Sequence, residues 1–168
     1  DNIFFHNGRQ LVADDVIWSY ARILSPGSSL SAISNLQNIL GAQDFMDGKA
    51  DHVAGLVKID DLTFSITFDG FVEPGYLLFE AVTAILPREA LEGGTFLSNP
   101  VGCGPFTFVE HIEGSRISGK KFDKYFKAGK PYADAIAFTI TDDYSALDVA
   151  FRAGEIDATV LSENGYVM

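Results

Sequence analysis

Phe5-His6-Asn7-Gly8-Arg9-Gln10-Leu11-Val12-Ala13-Asp14-Asp15-Val16-Ile17-Trp18-Ser19-Tyr20 is where the chain first changes its period, and the architecture is read outward from it. Ile3-Phe4-Phe5 is the end of a strand, and His6 to Arg9 form the turn after it, because Asn and Gly accept the left-handed backbone that a tight turn needs. Val16, Ile17, Tyr20, Ile23 and Leu24 then recur on one stripe of an amphipathic helix. Asp14 and Asp15 lie in its first turn, where the helix dipole favours carboxylates, and Pro26-Gly27 ends it. A strand without a visible beginning is expected of a chain cut from something larger.

Leu36, Ile39, Leu40 and Phe45 predict a second helix that ends near Asp47-Gly48. Leu62, Phe64, Ile66 and Phe68 alternate with Thr63, Ser65 and Thr67, the pattern of a half-buried strand. Leu56 to Ile59 is its antiparallel neighbour, joined through Asp60-Asp61. Pro74 suits the first turn of a helix through Tyr76, Leu77, Leu78 and Phe79, Val82 to Leu86 reads as extended, and Pro87 opens a short helix from Arg88 to Leu91. Gly93 to Pro100 is the candidate lobe boundary, since its Gly, Ser, Asn and Pro punctuate structure. Beyond it, Phe106 to Val109 and Arg116 to Ser118 flank the turn Glu113-Gly114-Ser115 as two strands, and Ala135 to Ile140 make a third. Thr141 or Asp142 caps a helix buried through Ala146, Leu147, Ala150 and Phe151 and closed by Gly154, and Ile156 to Leu161 returns as a strand.

Few residues are arranged for chemistry. Cys103, between Gly102 and Gly104, needs a basic neighbour to become a thiolate nucleophile, and His111 is eight residues away; it reads as a small buried hydrophobe, and the glycines as permission to turn before Pro105. Asp44, Asp47 and Asp51 lack the every-second-residue spacing and closing Glu of a calcium loop, so they read as a solvated acidic face. His6 and His52 lie in polar turns as surface histidines, no nucleophile elbow accompanies them, and Trp18 reads as packing or, alternatively, as a ligand-stacking ring. No catalytic residue, metal ligand or cofactor is expected.

With 168 residues, 47% of them hydrophobic and 21% charged, the chain is long enough for one globular domain or two small lobes. Twelve Lys and Arg against 23 Asp and Glu give a net charge of -11, which disfavours nucleic acid and anionic bilayers as long-range partners. One cysteine forms no internal disulfide. No run approaches a membrane span and Asp1 to Phe5 is no signal peptide, so any export signal lies outside these residues.

Six segments, in order, resemble the extracytoplasmic solute-binding proteins of family 5, which serve ABC importers of oligopeptides, dipeptides and nickel. They are Phe5-His6-Asn7-Gly8-Arg9 with Leu11 to Val16 and Ser19; Gly48-Lys49-Ala50-Asp51; Asp60-Asp61 with Thr63; Pro100-Val101-Gly102 with Gly104-Pro105-Phe106; Gly129-Lys130-Pro131-Tyr132-Ala133-Asp134; and Ala153-Gly154-Glu155-Ile156-Asp157. Three positions depart from the pattern: Val12 and Cys103 stand where the family has Thr, and Phe126 where it has Trp. Without Thr at position 12 the first helix loses about 1 kcal/mol of capping unless Asp14 or Asp15 substitutes.

The resemblance implies an α/β fold of mixed sheet and packed helices, a fragment of the type II periplasmic-binding-protein fold. Residues 1–97 would be an inserted subdomain of the first lobe and 98–168 part of that lobe, with the second lobe absent. It implies an extracytoplasmic protein, not an enzyme, that captures a peptide or related small solute and delivers it to a membrane permease, without inserting into the bilayer. By family position, Ser28, Ser29, Leu30 and Ser31, with Val82 and Thr83, face the ligand cleft; for Leu30 and Val82 plain core is an equal reading. A regulator's ligand-sensing domain built on the same module is the alternative, and a hydrolase the more distant one.

Overall fold

A computed structural model describes residues 2–30, 35–73, 75 and 81–159. Phe4 pairs with Gln10 across a turn in which Gly8 has φ 89°, and Leu11 donates its N–H to Ile3 at 2.9 Å. This small hairpin buries Phe5 completely and delivers the chain to helix α1, Ala13–Ile23. The apolar stripe meets the core as the period requires: Val16, Tyr20, Ile23 and, just past the helix, Leu24 are buried, and Ile17 packs at its edge. Val12 has no side-chain acceptor to offer the free amides of the first turn. Asp15 substitutes from the other side, accepting the Val12 N–H at 2.9 Å, which is the reciprocal half of a capping box.

The predicted second helix is two pieces, a 3-10 turn Asn35–Asn38 and helix α2, Ala42–Met46. Gly41 separates them with φ 76°, and Leu40 spends its hydrogen bonds elsewhere, donating to Thr67 and accepting from Gly55. The break therefore comes from pairing with a segment more than ten residues distant. Strands β1, Leu56–Asp60, and β2, Thr63–Ile66, form the expected antiparallel hairpin, with Leu56 opposite Ile66 and Lys58 opposite Phe64. Its turn docks on α1: the Ala13 N–H reaches the Asp61 carbonyl at 2.9 Å, and the Lys58 ammonium joins Asp14 of α1 at 2.6 Å to Asp61 at 2.7 Å.

Residues 81–83 form a 3-10 turn instead of the start of an extended segment, so Val82 and Thr83 are turn residues; 84–87 carry no regular structure, and helix α3, Arg88–Glu92, follows Pro87. The helix expected through Tyr76 to Phe79 lies outside the described residues. Strands β3, Phe106–Ile112, β4, Arg116–Lys121, and β5, Ala135–Thr139, make one antiparallel sheet in the order β3-β4-β5, with a bulge between Phe108 and Glu110. All described ladders are antiparallel, so the mixed sheet has no parallel pair among the described residues.

Helix α4, Tyr144–Ala153, starts one residue later than expected. Asp143, not Thr141 or Asp142, is the cap, accepting the Ala146 N–H at 2.9 Å, while Thr141 takes the Asp143 N–H. Gly154 closes the helix at φ 74°. The stripe on α4 is not buried: Leu147 and Ala150 are half covered, and Ala146 and Phe151 are exposed. Residues 155–159 continue without a strand, and 160–161 lie outside the described residues.

The core is unevenly placed. Apart from Pro87, every buried apolar side chain among the described residues lies between Phe5 and Leu56, where α1, Leu36, Ile39, Ala42, Val53 and Leu56 interlock. The three-stranded sheet and α4 have none, and Val109, Phe138, Val149 and Phe151 stand exposed.

Candidate functional site

Helix α1 organises both candidate cleft segments. Its C-terminal end runs through Pro26-Gly27 into the loop carrying Ser28, Ser29 and Leu30. The Ser28 N–H bonds the Ser25 carbonyl at 2.9 Å, and the Ser28 hydroxyl accepts the Leu30 N–H at 3.3 Å, so the loop folds on itself through serine. Ser29 is exposed, Ser28 half-buried, and Leu30 packs against the core at its rim. Ser31 lies outside the described residues.

The second segment is held from the middle of the helix. Ser19, fully buried, accepts the Leu86 N–H at 3.0 Å and faces the Leu86 carbonyl at 3.4 Å. That double contact ties residues 84–87 to α1 and with them the turn bearing Val82, half-buried, and Thr83, 5% exposed. Neither segment carries a charged side chain, so what they offer a ligand is hydroxyl, backbone and aliphatic surface. Ser19 gave no sign of this role in the sequence, because a serine on the apolar stripe of a helix shows its partner only when the chain returns 67 residues later.

His6 is not a surface residue. It is half-buried, its own N–H bonds the Gly102 carbonyl at 2.7 Å, and its Nδ1 accepts the Gly102 N–H at 3.3 Å. Nδ1 is then the acceptor, and Nε2 carries the proton that reaches the Gly104 carbonyl at 3.1 Å. The ring edge meets Phe122 at 4.9 Å. His6 therefore fastens the first turn to the glycine turn 102–104, 96 residues away. Cys103 sits in that turn half-buried, and burial pushes its thiol upward, away from thiolate character. His52 pairs with Asp51 and Asp47 with Lys49, each on the surface.

Arg9 joins three elements. Its guanidinium grips Asp15 of α1 through both terminal nitrogens, at 2.6 and 3.0 Å, reaches Glu89 of α3 at 2.7 Å, and lies over the Phe5 ring. Asn7 donates to the same Glu89 carboxylate at 3.0 Å. The Arg9 hydrogen bond holds the Glu89 carboxyl down at about 2, and the bond to Asp15 raises the arginine further above its ordinary range.

An open apolar hollow of about 300 Å³ lies between the face of the three-stranded sheet, with Phe106, Ile117 and Phe138, and the incoming chain at Phe96 and Val101. A smaller one of about 160 Å³ lies beside the start of α1. Neither is lined by the candidate cleft residues. Among the described residues no cluster of three or more His, Cys, Asp or Glu is placed to hold a metal ion, and no helix is long and apolar enough to cross a membrane.

Residues 1–166 match the family described as bacterial extracellular solute-binding proteins, family 5 Middle. The oligopeptide-binding protein AppA of Bacillus subtilis is 29% identical over 157 residues, covering 91% of this chain and 27% of the relative. The dipeptide-binding protein of Escherichia coli is 30% identical over 156 residues, covering 86% of this chain and 28% of the relative. The crystal structure of a periplasmic oligopeptide-binding protein from Borrelia burgdorferi superposes with a TM-score of 0.82 at 25% identity, over 94% of this chain and 33% of that one. The chain thus spans between a quarter and a third of the length of these three proteins. Its helices and antiparallel sheets are part of a type II periplasmic-binding-protein fold, and the chain belongs to family 5 of the bacterial extracellular solute-binding proteins.

Proposed function

We propose that the protein carrying this chain captures peptides, or a related small solute, outside the cytoplasm and delivers them to the permease of an ABC importer. The observation that carries the reading is the match to this family along residues 1–166, together with relatives named for oligopeptide and dipeptide binding. The local chemistry is compatible with carrying rather than converting a solute. Extended peptides are gripped through backbone hydrogen bonds and roomy pockets, which need neither nucleophile nor metal. The half-buried Cys103 thiol, kept protonated, and His6, engaged on both ring nitrogens, supply no activated pair.

Within this reading residues 1–97 form the inserted subdomain and 98–168 part of the first lobe. The concentration of the core before Leu56 and the irregular run 93–100 support the division, while the His6 contacts to Gly102 and Gly104 are the seam across it. Ser28, Ser29, Leu30, Ser31, Val82 and Thr83 are proposed to line the cleft. Their uncharged character suits ligands of varied side chains, and the hold of α1 on both segments keeps them in fixed relation. Mass spectrometry of whatever co-purifies with the full natural protein tests the function: a peptide or related small solute released on denaturation is expected, and the absence of any bound solute, or turnover of added peptides, would overturn it.

A further inference from the structure

The charge of this chain is segregated. Residues 116–132 hold six of the twelve cations, Arg116, Lys120, Lys121, Lys124, Lys127 and Lys130, and one of the 23 carboxylates, Asp123. The segment is net +5, and the other 151 residues, with six cations and 22 carboxylates, are net -16. Three of the six cations, Lys124, Lys127 and Lys130, belong to the connection between β4 and β5 and the other three to β4, and that connection is built rather than slack. Its base is closed by the Lys121 N–H on the Asp134 carbonyl at 2.7 Å and by the Phe122 N–H on the Pro105 carbonyl at 2.9 Å. Phe122 is braced on the His6 ring, and internal turns bond Tyr125 to Phe122 and Lys130 to Lys127, each at 3.0 Å.

On this scaffold Lys124, Lys127 and Lys130 recur at every third residue, all exposed. Two of them ride on exposed aromatic rings: the Lys130 ammonium stands 3.3 Å from the centre of the Tyr132 ring, and the Lys127 ammonium 5.6 Å from that of Phe126. Tyr132 is 82% exposed and Phe126 46%. Among the described residues, Arg116 is paired with Glu110, while Lys120, Lys121, Lys124, Lys127 and Lys130 take part in no ion pair.

We propose that the β4–β5 connection, with Lys124, Lys127 and Lys130 beside Phe126 and Tyr132, is a peripheral docking surface for an anionic phospholipid bilayer, which it touches without insertion. Lysines interleaved with exposed rings match the two layers of a membrane interface, ammonium groups at the phosphates and aromatic rings at headgroup depth. A flat acidic protein face would use the ammonium groups but gives the rings no headgroup layer to lie in. The net charge of -11 does not forbid the contact. Surface charges more than about 8 Å apart are largely screened at physiological ionic strength, so the bilayer senses the face nearest to it and repels every other orientation. The consequence is orientation: the acidic body is held outward and one side is presented to the membrane. The proposal does not depend on which solute is carried.

The test is co-sedimentation of the full natural protein, free of any lipid, with vesicles of phosphatidylcholine alone or with 30% phosphatidylglycerol. Binding is expected only to the anionic vesicles, and it should fall at least tenfold in 0.5 M NaCl and in the triple variant Lys124→Glu, Lys127→Glu, Lys130→Glu. The pair Phe126→Ala, Tyr132→Ala should weaken it less, and Lys49→Glu, elsewhere on the surface, should not change it. Solute affinity of the triple variant, measured in parallel, is expected to equal that of the parent, which separates this proposal from the transport reading. No preference for anionic vesicles, or equal loss with Lys49→Glu, overturns the proposal. A triple variant that loses delivery to the reconstituted permease while neither protein binds vesicles would give the surface to an acidic protein partner instead.

Discussion

Arg9 is the residue on which three elements depend, and its two carboxylates differ in what they risk. Asp15 is buried, so removing the guanidinium leaves a carboxylate with the Val12 N–H alone of its side-chain partners here; Glu89 is half-exposed and has water to fall back on. Hydrogen bonds to a buried charge are worth about 1.5–3 kcal/mol, so Arg9→Ala is expected to lower stability by about 2–3 kcal/mol in urea titration, and Glu89→Gln by no more than about 1 kcal/mol, as for exposed ion pairs. Glu89 also sets a pH dependence. Its carboxyl is depressed from 4.5 to about 2 by Arg9, so its contribution is complete above pH 4.5 and lost as the pH falls toward 2. Comparing denaturation of the parent and Glu89→Gln from pH 5 to 2 should show a shallower decline in the variant. None of this network was legible in the sequence, where Arg9 is one cation in a polar turn and Glu89 one carboxylate in a short helix. Asp15 was half legible: a first-turn carboxylate in place of a missing cap follows from local rules, whereas its bond to Arg9 does not.

At the scale of elements, what could be read was whatever is set by neighbours in sequence. The stripe of α1 and the alternation of the β1-β2 hairpin are local periodicities, and both are present. The second helix was misread because Leu36, Ile39, Leu40 and Phe45 satisfy a helical period while Leu40 is taken by Gly55 and Thr67 across the fold. Gly41 makes the turn between the two pieces, and its position separates two penalties that usually come together. Gly41 and Gly48 share a positive φ, 76° and 71°, but a Cβ at Gly41 would stand 2.9 Å from the Ala54 Cβ, while at Gly48 it meets nothing within 4 Å. Left-handed backbone alone costs about 1–2 kcal/mol for an alanine. Gly48→Ala should show that cost and Gly41→Ala a larger one, by thermal or urea unfolding; equal losses would mean that Ala54 yields freely. Of the strand expected over Ile156 to Leu161, residues 156–159 are not strand and pair with no other strand among the described residues, and 160–161 lie outside them.

For the molecule as a whole, two of the sequence segments that revealed the family hold the fold together at a distance, and the proposed cleft residues carry no such signature. Phe5 to Arg9 and Gly102 to Gly104 meet through His6, and Ser19 fixes the chain before α3. Ser28, Ser29 and Thr83 are ordinary polar residues, and their proposed place in the cleft rests on family position alone. The uncovered sheet face and the exposed stripe of α4 suit a chain that covers about 30% of its relatives. Limited proteolysis should accordingly enter at Gly93 to Asn99, where backbone is exposed and irregular, before it cuts the β2 strand. First cleavage inside β2 would place the boundary elsewhere.

Calorimetry of the co-purified ligand against the full natural protein and against residues 1–168 alone measures what a facing lobe contributes. Two lobes that close on a solute remove it from water on both sides, and a one-sided site leaves the ligand's charged ends screened. The 168-residue chain is therefore predicted to bind at best around millimolar, roughly 4 kcal/mol, and the full protein about a thousandfold tighter or better. Equal micromolar affinity in both would overturn this prediction, because residues 1–168 would then hold a complete site without a facing lobe.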